Sequence, residues 1–120
     1  MKSYYQNKEI WQKSKILLRE VIDDARKNGI QLIVYKFPEI NFLEYPQLFS
    51  KANESIKAFF NKYPSVIYMD GGELFKGEES EKYILSKYDG HPNEKAHKKM
   101  ATDVFNIIQS TNYNYNDLPK

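Results

Sequence analysis

The chain has 120 residues, with 18 Lys and Arg against 16 Asp and Glu, a formal charge of +2 and no cysteine. Its length fits one domain able to bury a core, and 41% hydrophobic with 28% charged residues marks a globular rather than a disordered chain. The balanced charge, with no basic stripe among aromatics, argues against a nucleic-acid partner, and the lack of cysteine excludes disulfides, thiolate metal sites and a Cys nucleophile.

In chain order, residues 7–27 read as an amphipathic helix. Ile10, Ser14, Leu17, Leu18, Val21, Ile22 and Ala25 recur at helical spacing, and Trp11 stands at the flank of that apolar face. Basic residues followed by Gly29 mark its end. Residues 30–37, "IQLIVYKF", hold a short continuous apolar run rich in β-formers. That run predicts a strand buried on both faces, as in a parallel sheet, stopped by Pro38. An irregular loop with Pro at both ends follows. Residues 47–62 return to helical spacing through Leu48, Ala52, Ile56, Phe59 and Phe60, and Pro64 breaks that helix.

Residues 66–70, "VIYMD", predict a second buried strand, closed by Gly71 and Gly72. Asp70 at its end reads as part of a terminating turn rather than a ligand contact. A polar loop, with a helical turn near residues 80–85, leads to a last helix starting near Pro92 or Asn93. Ala96, His97, Met100, Ala101, Val104, Ile107 and Ile108 make its predicted buried face. The order helix, strand, helix, strand, helix predicts an α/β unit with parallel strands. Residues 1–110 form its domain and residues 111–120, with Tyr113 and Tyr115, a polar tail.

No apolar run reaches membrane-spanning length, and the N-terminal "MKSYYQNKEIWQKSK" lacks a signal-peptide core. The chain is therefore expected in the cytoplasm if it is complete, and export stays open if sequence precedes it. Ten tyrosines supply amphipathic rings suited to a surface or cleft. Two parallel strands make a very small sheet, so an apolar strand edge at residues 30–37 could pair copies of the chain.

The chemistry concentrates in "YDGHPNEKAHKKMATDVF". A carboxylate beside a histidine fixes the imidazole tautomer, orients the ring and stabilises the imidazolium. A histidine, with its ordinary pKa of about 6.5, suits general-base work near neutral pH. Asp89 and His91 stand on a segment beyond the carboxyl end of the second strand, where α/β sheets gather functional residues. Taken alone, Asp-Gly is a routine turn signal and His91 an ordinary residue before a helix. His91 and His97 do not make a metal pair: six residues apart, they do not share a helical face, and no third ligand accompanies them. His97 reads as packing, and Lys98 and Lys99 as a solvated face.

The same stretch resembles the last sequence block of the SGNH/GDSL hydrolase superfamily, with Asp89, His91, the Pro92-Asn93 pair and the Ala96-His97 pair in its positions. "GIQLIVYKFPE" resembles that family's penultimate strand and "PSVIYMDGGELF" its final strand and loop. The commoner family spacing is Asp-x-x-His; here it is Asp-x-His. The resemblance implies a three-layer α/β/α, flavodoxin-like parallel sheet of which only the last two strands and their helices are present. It implies ester or acyl-group chemistry on a small-molecule ester, or on an acylated carbohydrate or lipid; neither a cofactor nor a metal is expected. It makes His91 the general base and Asp89 its orienting acid. The family's Gly-Asp-Ser nucleophile block and its oxyanion-hole blocks have no counterpart in this sequence, so the chain corresponds to roughly the C-terminal half of such an enzyme and is expected to be inactive alone. The alternative is a non-catalytic α/β interaction module that associates through its exposed strand edge. A flavodoxin-like ligand-binding domain is disfavoured, because no Gly-rich phosphate loop follows either strand.

Overall fold

The computed structural model describes residues 8–111. Apart from Thr111, the polar tail expected at residues 111–120, with Tyr113 and Tyr115, lies outside them. The described residues form two compact units, 8–36 with 45–70, and 37–44 with 71–111. No helix among them is long and apolar enough to cross a membrane.

The first unit holds α1 (Lys8–Lys27), β1 (Leu32–Lys36), a 3-10 turn at Pro46–Leu48, α2 (Ser50–Phe60) and β2 (Val66–Asp70). Helix α1 closes on Gly29, whose φ of 64° is a left-handed value that costs glycine nothing sterically. That turn brings the Ile30 N–H to the Ala25 carbonyl at 2.8 Å and the Gly29 N–H to the Arg26 carbonyl at 3.3 Å. These two bonds satisfy carbonyls that the helix end would otherwise leave open.

Strands β1 and β2 pair in parallel, from Leu32 opposite Val66 to Lys36 opposite Asp70. No third strand joins them among the described residues. The strand is shorter than the expected 30–37, and Ile30 and Phe37 are exposed. Every residue of β1 is half-buried, not buried on both faces. With two strands, each strand is an edge, and neighbouring elements cannot fully cover both faces. Asp70 ends β2 with its carboxylate 3.6 Å from the Lys36 ammonium, its partner in register.

Ile22, Phe59, Phe60 and Val66 form the buried centre of this unit, with Trp11, Leu18, Leu32, Ile56 and Tyr68 packed around them. Trp11 meets Phe59 edge to face at 6.0 Å, and Phe60 stacks on Tyr68 at 5.0 Å. Such ring pairs add about 0.5–1.5 kcal/mol each beyond their buried area. Trp11 is partly buried and packs against this cluster from its margin, at the flank of the α1 apolar face. Leu17 and Val21, expected to be buried, are exposed, because residues 11, 18, 22 and 25 share one helical stripe and residues 17 and 21 lie one step around it.

The second unit holds 3-10 turns at Ile40–Phe42, Gly71–Phe75 and Ser80–Lys82, then β3 (Ile84–Ser86), β4 (Asp89–Pro92) and α3 (Glu94–Ser110). Phe75 is fully buried and meets the Tyr83 ring edge to face at 4.9 Å. The Lys99 ammonium lies over both rings, 4.8 and 5.2 Å from their centres, a cation–π arrangement. It also donates to Glu78 at 3.2 Å and to the Tyr83 hydroxyl at 3.4 Å. Partial burial alone would lower the Lys99 pKa; the hydrogen bonds to Glu78 and Tyr83 outweigh it and raise the value. Lys99 is therefore a packed, paired residue, while the solvated-face reading suits exposed Lys98.

Helix α3 buries Ala96, Met100 and Ile107. His97, Ala101 and Ile108, expected on that face, are exposed, since each lies about 100° around the helix from its buried neighbour.

Replacing Phe60 by Ala removes the Tyr68 stack and leaves a cavity in the first unit. The expected loss is about 3–5 kcal/mol, read as a fall in the urea midpoint of that unit's unfolding. A loss below about 1 kcal/mol would place the core elsewhere.

Candidate active site

Residues 84–92 form an antiparallel hairpin in which Ile84 opposes Pro92 and Ser86 opposes Asp89, with an irregularity between. Asp89 and His91 therefore stand on a short strand, not on the loop that the Asp-Gly pair predicts. The turn is instead Lys87-Tyr88, with the Tyr88 N–H donating to the Ser86 hydroxyl at 3.2 Å.

Asn93 fixes where this strand ends. Its side-chain oxygen accepts from the Ala96 N–H at 3.1 Å and caps α3. Its side-chain nitrogen donates to the Lys82 and Ile84 carbonyls at 3.0 and 3.1 Å. Its backbone N–H donates to the Tyr83 carbonyl at 2.8 Å.

Within that frame, the Asp89 Oδ1 lies 2.6 Å from the His91 Nδ1 and accepts the His91 backbone N–H at 3.1 Å. The hydrogen bonds from the His91 ring and then from its backbone hold the Asp89 carboxyl below the usual carboxylate range. An ionised carboxylate only accepts, so the His91 Nδ1 is the donor in this contact, and Nε2 is the ring nitrogen turned away from Asp89. The His91 side chain is 84% exposed and that of Asp89 47%. The two predicted site residues are brought together in the arrangement that orients a general base; His97 is not part of it.

Gly90, between them, has a physical reason to be glycine. A Cβ there would stand 3.0 Å from both the Cβ and Nδ2 of Asn41, too close for ordinary packing. Asn41, Phe37, Pro38 and Ile40 from one segment and residues 88–92 from the other line an open groove of about 520 Å³. Neither Asn41 nor Tyr88 stands out in the sequence, since both sit in polar, irregular stretches without periodicity.

The groove-lining segment is anchored by Glu44. Its carboxylate accepts the Ser80 N–H at 2.6 Å and the Ser80 hydroxyl at 2.7 Å. The same hydroxyl accepts the Leu43 N–H at 3.0 Å. Ser80 is buried, and its hydroxyl and backbone bonds hold the Glu44 carboxyl below its ordinary range. No group of three or more His, Cys, Asp or Glu among the described residues is placed to hold a metal ion. No family model, curated protein or solved structure matches the chain.

A carboxyl with a depressed folded pKa adds stability above its unfolded pKa, and that stability is lost as the pH falls through the folded value. Acidification through the carboxylate range should therefore lower the hydrogen-exchange protection of the Leu43 and Ser80 amides relative to their intrinsic rates at each pH. Glu44→Gln should exchange faster already near pH 6 and show a smaller acid response, as followed by two-dimensional NMR. Equal exchange in both proteins would mean that Glu44 does not anchor the segment.

Proposed function

We propose that this chain supplies the acid–base half of an SGNH/GDSL-type ester hydrolase, in which His91 is the general base and Asp89 its orienting acid. The observation that carries the reading is the 2.6 Å approach of His91 Nδ1 to Asp89 Oδ1 beside an open groove. The ring nitrogen that faces away from Asp89 takes the proton of an attacking serine hydroxyl and later returns it to the leaving alcohol. Asp89 stays ionised throughout and stabilises the imidazolium. The serine and the oxyanion donors belong to sequence blocks absent from these 120 residues. Each missing oxyanion donor costs about 3–4 kcal/mol of transition-state stabilisation, and without the nucleophile no acyl-enzyme forms. In this reading β1 and β2 are the last two strands of a three-layer α/β/α sheet.

A fluorophosphonate serine probe tests the first part. The folded chain should give no adduct by intact mass; a single adduct would mean that one of its own serines is activated. Where a Gly-Asp-Ser block is supplied in the same polypeptide, His91→Ala should abolish ester hydrolysis with folding retained. Asp89→Asn should lower it by about four orders of magnitude through lost tautomer control. Undiminished hydrolysis in His91→Ala would sink the assignment.

The two-strand sheet with exposed Ile30 and Phe37 at its margins favours a second reading, a module in which copies associate along residues 30–37. Sedimentation velocity across a concentration series should then show a dimer; a monomer throughout removes it.

A further inference from the structure

Tyr88 is 87% exposed at the tip of the β3–β4 turn, the most exposed of the large hydrophobic residues described. The fold does not use its apolar surface, although burying an aromatic ring is favourable. The Lys87 ammonium lies 4.7 Å from the ring centre, which occupies one face and leaves the other open. Across the groove-lining residues stands Asn41, whose carboxamide has no hydrogen-bond partner among the described residues. It is not loose, because it packs at close range against Gly90, between the two site residues. Phe37, 64% exposed, adds a second apolar surface.

We propose that this groove seats a sugar ring, stacked on the open face of Tyr88 and hydrogen-bonded by the Asn41 carboxamide. The ester acted on is then an acyl group carried by a carbohydrate. A pyranose has an apolar C–H face and a hydroxyl edge, and an exposed aromatic ring with a nearby carboxamide offers the complement to both. A long acyl chain fits less well. Each methylene gains its full benefit only when enclosed, and an open groove encloses little. The volume of about 520 Å³ is in the usual range for small-molecule sites. The ester part of this inference rests on the hydrolase reading; the ring-binding part does not.

The test is saturation-transfer NMR on the full chain, with O-acetylated methyl glycosides of glucose, xylose and N-acetylglucosamine as probes and octanoate as the acyl-chain probe. Transfer to at least one glycoside is expected, retained in Tyr88→Phe, lost in Tyr88→Ala and weakened about fivefold in Asn41→Ala, the effect of one hydrogen bond. Tyr88 is exposed, so both variants should fold, as circular dichroism checks. Saturation transfer reads sugar binding alone and needs no chemical step. Failure of the hydrolase reading, seen in hydrolysis by the Ser-supplied polypeptide, is thereby separated from failure of sugar binding. No transfer to any glycoside at concentrations on the order of 10 mM, transfer undiminished by Tyr88→Ala, or preferential binding of octanoate would each overturn the proposal.

Discussion

The arrangement of the second unit depends on one carboxamide. Asn93 caps α3 with its oxygen and holds two carbonyls of the preceding chain with its nitrogen. A capping residue is worth about 1 kcal/mol to its helix, but this one also fixes the distance between the helix start and β3. Strand β4 has only four residues and ends one residue before Asn93. Its side chains therefore point where the capped helix and β3 together allow, and Asp89 and His91 inherit that placement.

The site layered on this frame combines polar precision with apolar exposure. Asp89 commits one oxygen to both nitrogens of His91 that face it, while the neighbouring groove leaves aromatic surface in water. Two carboxylates hold the surrounding segments: Glu44 through Ser80, and Glu78 through Lys99. Both have pKa values below the ordinary range, Glu78 because the Lys99 hydrogen bond outweighs its partial burial. Stability in this unit should therefore be a property of near-neutral pH, fading as carboxylates take up protons.

Much of the scaffold was legible in the sequence. Helical periodicity located α1, α2 and α3, continuous apolar runs located β1 and β2, and Gly29 marked a helix end. Asp89 and His91 were legible because their residue types carry chemistry at short spacing. The β3–β4 hairpin was not, because Lys87-Tyr88 lacks the Gly, Asn or Asp that two-residue turns favour. Burial was misjudged at Leu17, Val21 and His97, where an apolar or aromatic residue lies one helical step from the packed stripe. Asn41 was invisible for another reason: its significance lies in a close approach to Gly90, far away in sequence, and local pattern does not encode such a meeting.

The spacing of the acid and base has a further consequence. Because Asp89 grips both the ring and the backbone of a residue only two positions on, the pair forms a chelate closed within three residues. Closing so short a loop orders little chain, so the dyad does not need a distant segment to bring its members together. In enzymes whose acid and base come from separate elements, loosening the fold separates them. Here the Asp89–His91 hydrogen bonds can persist through partial opening of the surrounding unit, and what such an opening would lose first is the groove, not the pair.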